Sequence, residues 1–119
     1  MTDEPRPLYI VYRAGDHAVR CFRGVRNQPA QVADFLTFAD LAPQVEWWDL
    51  PRAVGVSAWT AQEKAAAVAY NRGLPLLAEI DLSRADGRVS WAMTGKKGHV
   101  TIWAPALILI PAVVNYIEV

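Results

Sequence analysis

The chain has 119 residues, 53% of them hydrophobic and 20% charged, which fits one globular domain with one core and excludes a disordered chain. Lys plus Arg number 12 and Asp plus Glu number 12, so no overall field draws the chain onto nucleic acid or anionic lipid. The single cysteine, Cys21, excludes an internal disulfide and a metal site built from cysteines.

The start, Met1-Thr2-Asp3-Glu4-Pro5, has neither the basic flank nor the apolar stretch of an export signal, so cytoplasmic residence is the expectation. Leu8 to Tyr12 reads as a strand that runs into a turn at Arg13-Ala14-Gly15-Asp16. Val19 to Val25 reads as a second strand, with Val19, Cys21, Arg23 and Val25 on one face and Arg20, Phe22 and Gly24 on the other. Pro29 suits a first helical position, and Val32, Phe35, Leu36 and Ala39 then recur at helical spacing, which predicts a short helix. Ala42 to Pro51, with the pair Trp47-Trp48, has no clean period and reads as a loop.

Ala53 to Ala58 returns to strand character. Thr60-Ala61-Gln62-Glu63 reads as a capping box opening a helix that continues through Ala65 to Ala69 and stops near Gly73. Pro75 to Leu82 follows as a strand, and Asp86-Gly87 turns the chain into another at Arg88 to Met93. Gly95-Lys96-Lys97-Gly98 turns it again into Val100 to Trp103. The stretch from Val100 to Ile117 carries no charge and reaches the lower length limit of a membrane span. Pro105, Pro111 and Asn115 break it, so the expectation is a buried strand, a short helical turn from Pro105 through Leu109, and a final strand from Ala112 to Val119 inside the sheet. The whole predicts one α+β domain over residues 1–119, strand-rich, with one main helix and one or two short ones.

No glycine-lysine phosphate loop and no dinucleotide glycine fingerprint occur, Gly55-Val56-Ser57 lacks the second glycine of a nucleophile elbow, and His17 and His99 have no ligand cluster around them. What remains is an arginine, Arg23, on one strand, a serine, Ser57, at the end of a second, and a helix behind it, an order that can hold a dinucleotide's phosphates. Arg13 is the competing arginine. Ser57 and Thr60 are also the residue types that satisfy backbone groups at a strand-to-helix turn. Trp59 is a flat aromatic beside this junction, while Glu79 and His99 sit on strands where they either face the cleft or lie outside it.

Together these segments resemble the ADP-ribosyltransferase-like fold, the small split sheet of NAD-consuming toxins of the arginine-serine-glutamate type. Phe22-Arg23-Gly24 is similar to the family's first-strand arginine motif, Gly55-Val56-Ser57-Ala58-Trp59-Thr60 with Glu63 and the alanines to its serine strand and following helix, and Gly98 to Val119 to its closing strands. Asp34-Phe35-Leu36-Thr37 and Gly98-His99-Val100-Thr101-Ile102-Trp103 also resemble segments shared by a group of small bacterial proteins. The resemblance implies NAD as substrate or ligand, with Arg23 on its phosphates, Ser57 on a ribose or phosphate, Trp59 walling the nicotinamide side, and Thr60 beside them. Where the family carries its catalytic glutamate, this chain has His99 and Thr101, and neither supplies the fixed negative charge that an oxocarbenium-like state calls for. Glu79 or Glu118 takes that role only if the sheet brings it to the cleft.

Three functions follow as expectations. The first is NAD or nucleotide binding without efficient transfer. The second is a non-enzymatic interaction domain with a protein partner, a neutralising partner or subunit of a bacterial toxin system, on the strength of the missing glutamate and five tryptophans. The third is a small hydrolase or lyase using His99 as base. No metal, nucleic acid or membrane enters any of them, and the sequence specifies no oligomeric state.

Overall fold

Short runs of β-branched and aromatic residues pair edge to edge in the computed structural model, which describes residues 9–42, 50–95 and 98–119. The strands are β1 (Val11–Arg13), β2 (Arg20–Val25), β3 (Val56–Trp59), β4 (Leu76–Asp81), β5 (Ser90–Met93), β6 (His99–Trp103) and β7 (Val113–Glu118). Every pairing is antiparallel, in the order β1-β5-β6-β3-β2-β4-β7. The short helices are α1 (Phe38–Leu41), α2 (Leu50–Ala53) and α4 (Ala106–Leu109), and the main helix is α3 (Gln62–Asn71). The fold is thus α+β.

Side-chain alternation gives the sheet two buried faces. Cys21, Val25, Val56, Ala58, Ile80, Val100 and Ile102 form the larger core, which Phe35, Leu82, Leu109 and Ala112 complete. Burial pushes the Cys21 thiol up to about 12, so it remains protonated at neutral pH and behaves as a small apolar side chain. On the opposite face, Ala65 and Ala69 of α3 lie over Leu77, with Phe22 and Trp59 packed alongside. Small residues make this close approach work. A Cβ on Gly24 would stand 2.7 Å from Leu74 Cδ1 and 3.0 Å from Ala69 Cβ.

Two halves of the sheet meet at one place. β2 pairs with β4 along its full length, from Arg20 opposite Asp81 to Val25 opposite Leu76, yet it meets β3 only at Phe22 opposite Trp59. The expected split sheet is therefore one sheet with a single central bridge. Continuing that register would place Gly24 opposite Ser57, and there the ladder stops. The Ser57 carbonyl instead accepts from Arg23 Nη1 at 2.7 Å, while Arg23 Nε donates to the Asp34 carbonyl at 2.8 Å and Nη2 to the Leu36 carbonyl at 3.1 Å. The guanidinium stands in for a strand neighbour.

The segment offering two of those carbonyls is itself held. The Asp34 carboxylate accepts from the backbone N–H groups of Arg26 and Gln31, both at 2.8 Å, and from Asn27 Nδ2 at 3.1 Å.

Several expectations are corrected. The helix foreseen after Pro29 is two pieces, a 3-10 turn at Val32–Phe35 and α1, divided by extended backbone at Leu36 and Thr37. Thr37 and Asp40 form the capping box: the Asp40 N–H donates to Thr37 Oγ1 at 3.1 Å and the Thr37 N–H to Asp40 Oδ2 at 3.0 Å. Thr60 caps nothing, because its N–H and hydroxyl both donate to the Gly98 carbonyl, and Ala61 stands at the N-cap of α3. Gly73, with φ +68°, ends that helix as the sequence reading has it. Leu50–Ala53 is helical rather than loop and strand, and β7 lies at the sheet's edge rather than inside it, since among the described residues β4 alone pairs with it. Leu8, Trp47, Trp48, Lys96 and Lys97 lie outside the described residues.

Arg23→Met keeps most of the stem and removes all three donors, leaving the part-buried Asp34 and Ser57 carbonyls unpaired and the exposed Leu36 carbonyl to water. Urea unfolding should show a loss of about 2 kcal/mol, given roughly 1–3 kcal/mol per orphaned buried group. A loss below about 1 kcal/mol contradicts the clamp.

Candidate functional site

A cavity of about 290 Å³ lies where β2, β3 and β6 meet α3. Antiparallel pairing puts Ser57 opposite Thr101 and Trp59 opposite His99, all four on the face that carries α3. Arg23, Ser57, Trp59 and His99 line the cavity, so the sheet brings together the arginine, the serine and the histidine picked out from the sequence. Helical spacing brings Ala65, Val68, Ala69 and Arg72 to the same hollow, and the α2 turn contributes Arg52. That turn is tied to β6, because Trp103 Nε1 donates to the Pro51 carbonyl at 2.5 Å.

The remaining predicted site residues lie elsewhere. Arg13 ends β1, an edge strand, and is exposed, so Arg23 is the arginine at the cavity. Glu79 is on β4, where Arg20 Nη1 holds it at 3.0 Å. Glu118 is exposed on β7. Thr60 is bound to Gly98, and Thr101 lies behind His99 without lining the cavity. Neither Glu79 nor Glu118 is among the lining residues, and none of the described lining residues carries a carboxylate.

A chain of polar contacts runs inward from the cavity wall. Ser57 Oγ lies 2.5 Å from His99 Nε2, His99 Nδ1 lies 3.0 Å from Thr94 Oγ1, and Thr94 Oγ1 lies 2.6 Å from Thr101 Oγ1. His99 fits because Gly95 leaves it room: a Cβ there would stand 3.1 Å from the histidine Cβ. The Trp59 ring meets His99 edge-on with centroids 4.7 Å apart, and Lys64 Nζ lies 5.4 Å from the Trp59 centroid.

The charged groups that line the cavity are arginines. Burial, followed by the charge of Arg52, lowers the His99 pKa to about 4, so the imidazole is neutral at physiological pH. Arg23 is lowered to about 10, chiefly by burial and then by Arg72, against the opposing charge of Asp34, and stays charged. With Arg23, Arg52 and Arg72 lining it, the cavity favours an anion. Arg23 gives three of its five N–H groups to carbonyls. Arg52 and Arg72 are the added cations that the sequence reading did not single out, and Thr94 is the added hydroxyl.

Against models of known families, curated proteins and solved structures, the chain has no significant match. Among the described residues, no group of three or more His, Cys, Asp or Glu side chains is placed to hold a metal ion, and no helix is long and apolar enough to cross a membrane.

Because His99 titrates near 4 when folded and near 6.5 when unfolded, the unfolded chain binds more protons between those values. The contribution of neutral His99 is complete above about pH 6.5 and is lost as the pH falls toward 4. Melting temperatures measured from pH 7 to 4.5 should therefore fall more steeply in the wild type than in His99→Gln. Parallel curves contradict the burial of a neutral imidazole.

Proposed function

We propose that the protein has an ADP-ribosyltransferase-like fold and binds NAD or a related nucleotide in this cavity, without the carboxylate that transfer of ADP-ribose calls for. One observation carries the reading: three arginines and the Ser57 hydroxyl line one hollow in which no described residue is acidic. Arg23, Ser57 and His99 stand on the neighbouring strands β2, β3 and β6, in keeping with the strands that the resemblance assigns to them. Arg72 is the natural phosphate ligand, with the two remaining Arg23 N–H groups beside it, and Arg52 adds positive charge to the same wall. Trp59 offers a flat wall to a ring.

Size supports partial enclosure. At about 290 Å³ the cavity is at the lower end of small-molecule sites, which run from roughly 300 to 1,000 Å³, so it takes one end of a dinucleotide. A much smaller hollow lined by Leu36, Thr37, Leu41 and Gly55 shares Arg23, Ser57 and Arg72 with it, so the rest of the ligand would lie outside the cavity. Glycosidic cleavage would build positive charge on the ribose, and Arg52 and Arg72 oppose it. Binding without turnover follows.

Calorimetric titration of NAD and ADP-ribose tests this, together with an assay of NAD consumption. Saturable binding with negligible consumption is expected, weakened about 10-fold or more in Arg72→Gln and in Arg52→Gln, the scale of one charge-assisted hydrogen bond. Absence of binding by either ligand to concentrated protein contradicts the proposal.

A second reading draws on the contact between Ser57 Oγ and His99 Nε2, a hydroxyl within hydrogen-bond reach of an imidazole, as a nucleophile is of its base. Under it, a fluorophosphonate probe labels Ser57. A wild-type protein that resists the probe, as Ser57→Ala does, removes it.

A further inference from the structure

The four-residue polar chain has a direction, and its inner end fixes it. Thr101 is 1% exposed, and its hydroxyl has Thr94 as its hydrogen-bond partner among the described residues. Two tautomers of the neutral imidazole are compatible with the three contacts. In the first, Ser57 donates to His99 Nε2 and His99 Nδ1–H donates to Thr94; whichever of Thr94 and Thr101 then donates to the other, one buried hydroxyl proton has no acceptor among the described residues. In the second, Thr101 donates to Thr94, Thr94 donates to His99 Nδ1, and His99 Nε2–H donates to Ser57 Oγ. Every buried proton is then used, and the one left over belongs to Ser57, which lines the cavity.

An unsatisfied buried hydroxyl is disfavoured strongly enough to decide between the two. The Ser57 oxygen already accepts from the histidine, so its own O–H is free to meet a ligand. Around it stand Arg23 and Arg72, which seek the same kind of atom.

We propose that His99, anchored by Thr94 and Thr101, is a positioning residue that turns the Ser57 hydroxyl outward as a donor, so that Ser57 binds a phosphate oxygen of the ligand. The proposal rests on the nucleotide reading of the cavity and makes it more specific, since the resemblance leaves Ser57 to either a ribose or a phosphate. It also separates Ser57 from a serine nucleophile, whose proton must point at the histidine. His99 is then a donor with no part in proton abstraction.

Long-range nitrogen–proton correlation spectra of the ¹⁵N-labelled free protein at pH 7 report the tautomer directly, and calorimetry with ADP-ribose, pyrophosphate and adenosine reports the choice of ligand atom. The expected result is His99 with its proton on Nε2, binding of ADP-ribose and pyrophosphate, and negligible binding of adenosine. Ser57→Ala and His99→Leu should each weaken both phosphate ligands about 10-fold, and His99→Gln, which keeps an amide donor, should recover most of the His99→Leu loss. A proton on Nδ1 together with tight ADP-ribose binding overturns the directed chain and leaves the nucleotide reading standing. A proton on Nε2 with neither phosphate ligand bound overturns both. Pyrophosphate binding that Ser57→Ala leaves intact overturns the contact assigned to Ser57.

Discussion

One guanidinium holds the molecule's two halves in register. The strand pairing on either side of the β2–β3 junction is continuous, but between those strands there is a single bridge, and beyond it the Arg23 side chain carries the connection. Its three donors join β2 to the Ser57 carbonyl of β3 and to the carbonyls of Asp34 and Leu36. A planar group with donors fixed in a fork suits this task, whereas a lysine ammonium would present a point charge. Because the ladder stops at Ser57, that residue's side chain stands at the rim of a hollow. The clamp and the cavity have the same cause.

From that opening the polar chain runs under β6. Its inner end depends on small residues elsewhere: a Cβ on Gly55 would fall on the Thr101 methyl carbon, so the glycine makes room for the threonine that anchors the chain. The same economy appears at Gly24 beneath α3 and at Gly95 beside His99. An imidazole kept neutral by burial and by a nearby arginine fits a wall of hydroxyls better than it fits acid–base work at neutral pH.

Much of this is legible in the sequence. Period-2 alternation places Arg23 with Cys21 and Val25, and the order of arginine strand, serine strand and helix names two residues, Arg23 and Ser57, that the sheet brings to one cavity. The hairpin register also contained Thr94, since Met93 opposite Val100 puts Thr94 opposite His99, but a threonine at a strand end has many uses. Arg72 was there too, seven residues beyond Ala65 on one helix face. Arg52 could not be read, because its place depends on a four-residue helical turn held by a tryptophan 51 positions away. Thr60 misled because a threonine three residues before a glutamate has the capping pattern, while the true partner, the Gly98 carbonyl, comes from a distant turn. Nothing local announced that β7 would be an edge, since edge or interior is decided by pairing.

The central claim is that Arg23 is immobilised by three carbonyls, and the most direct measurement is the ¹⁵N and ¹H spectrum of its guanidinium in solution. The account predicts resolved Nε and Nη resonances, arrested rotation about the Cζ–Nη bonds and slow exchange of those protons with water. A single averaged Nη signal with rapidly exchanging protons, in protein that is otherwise folded, would contradict it.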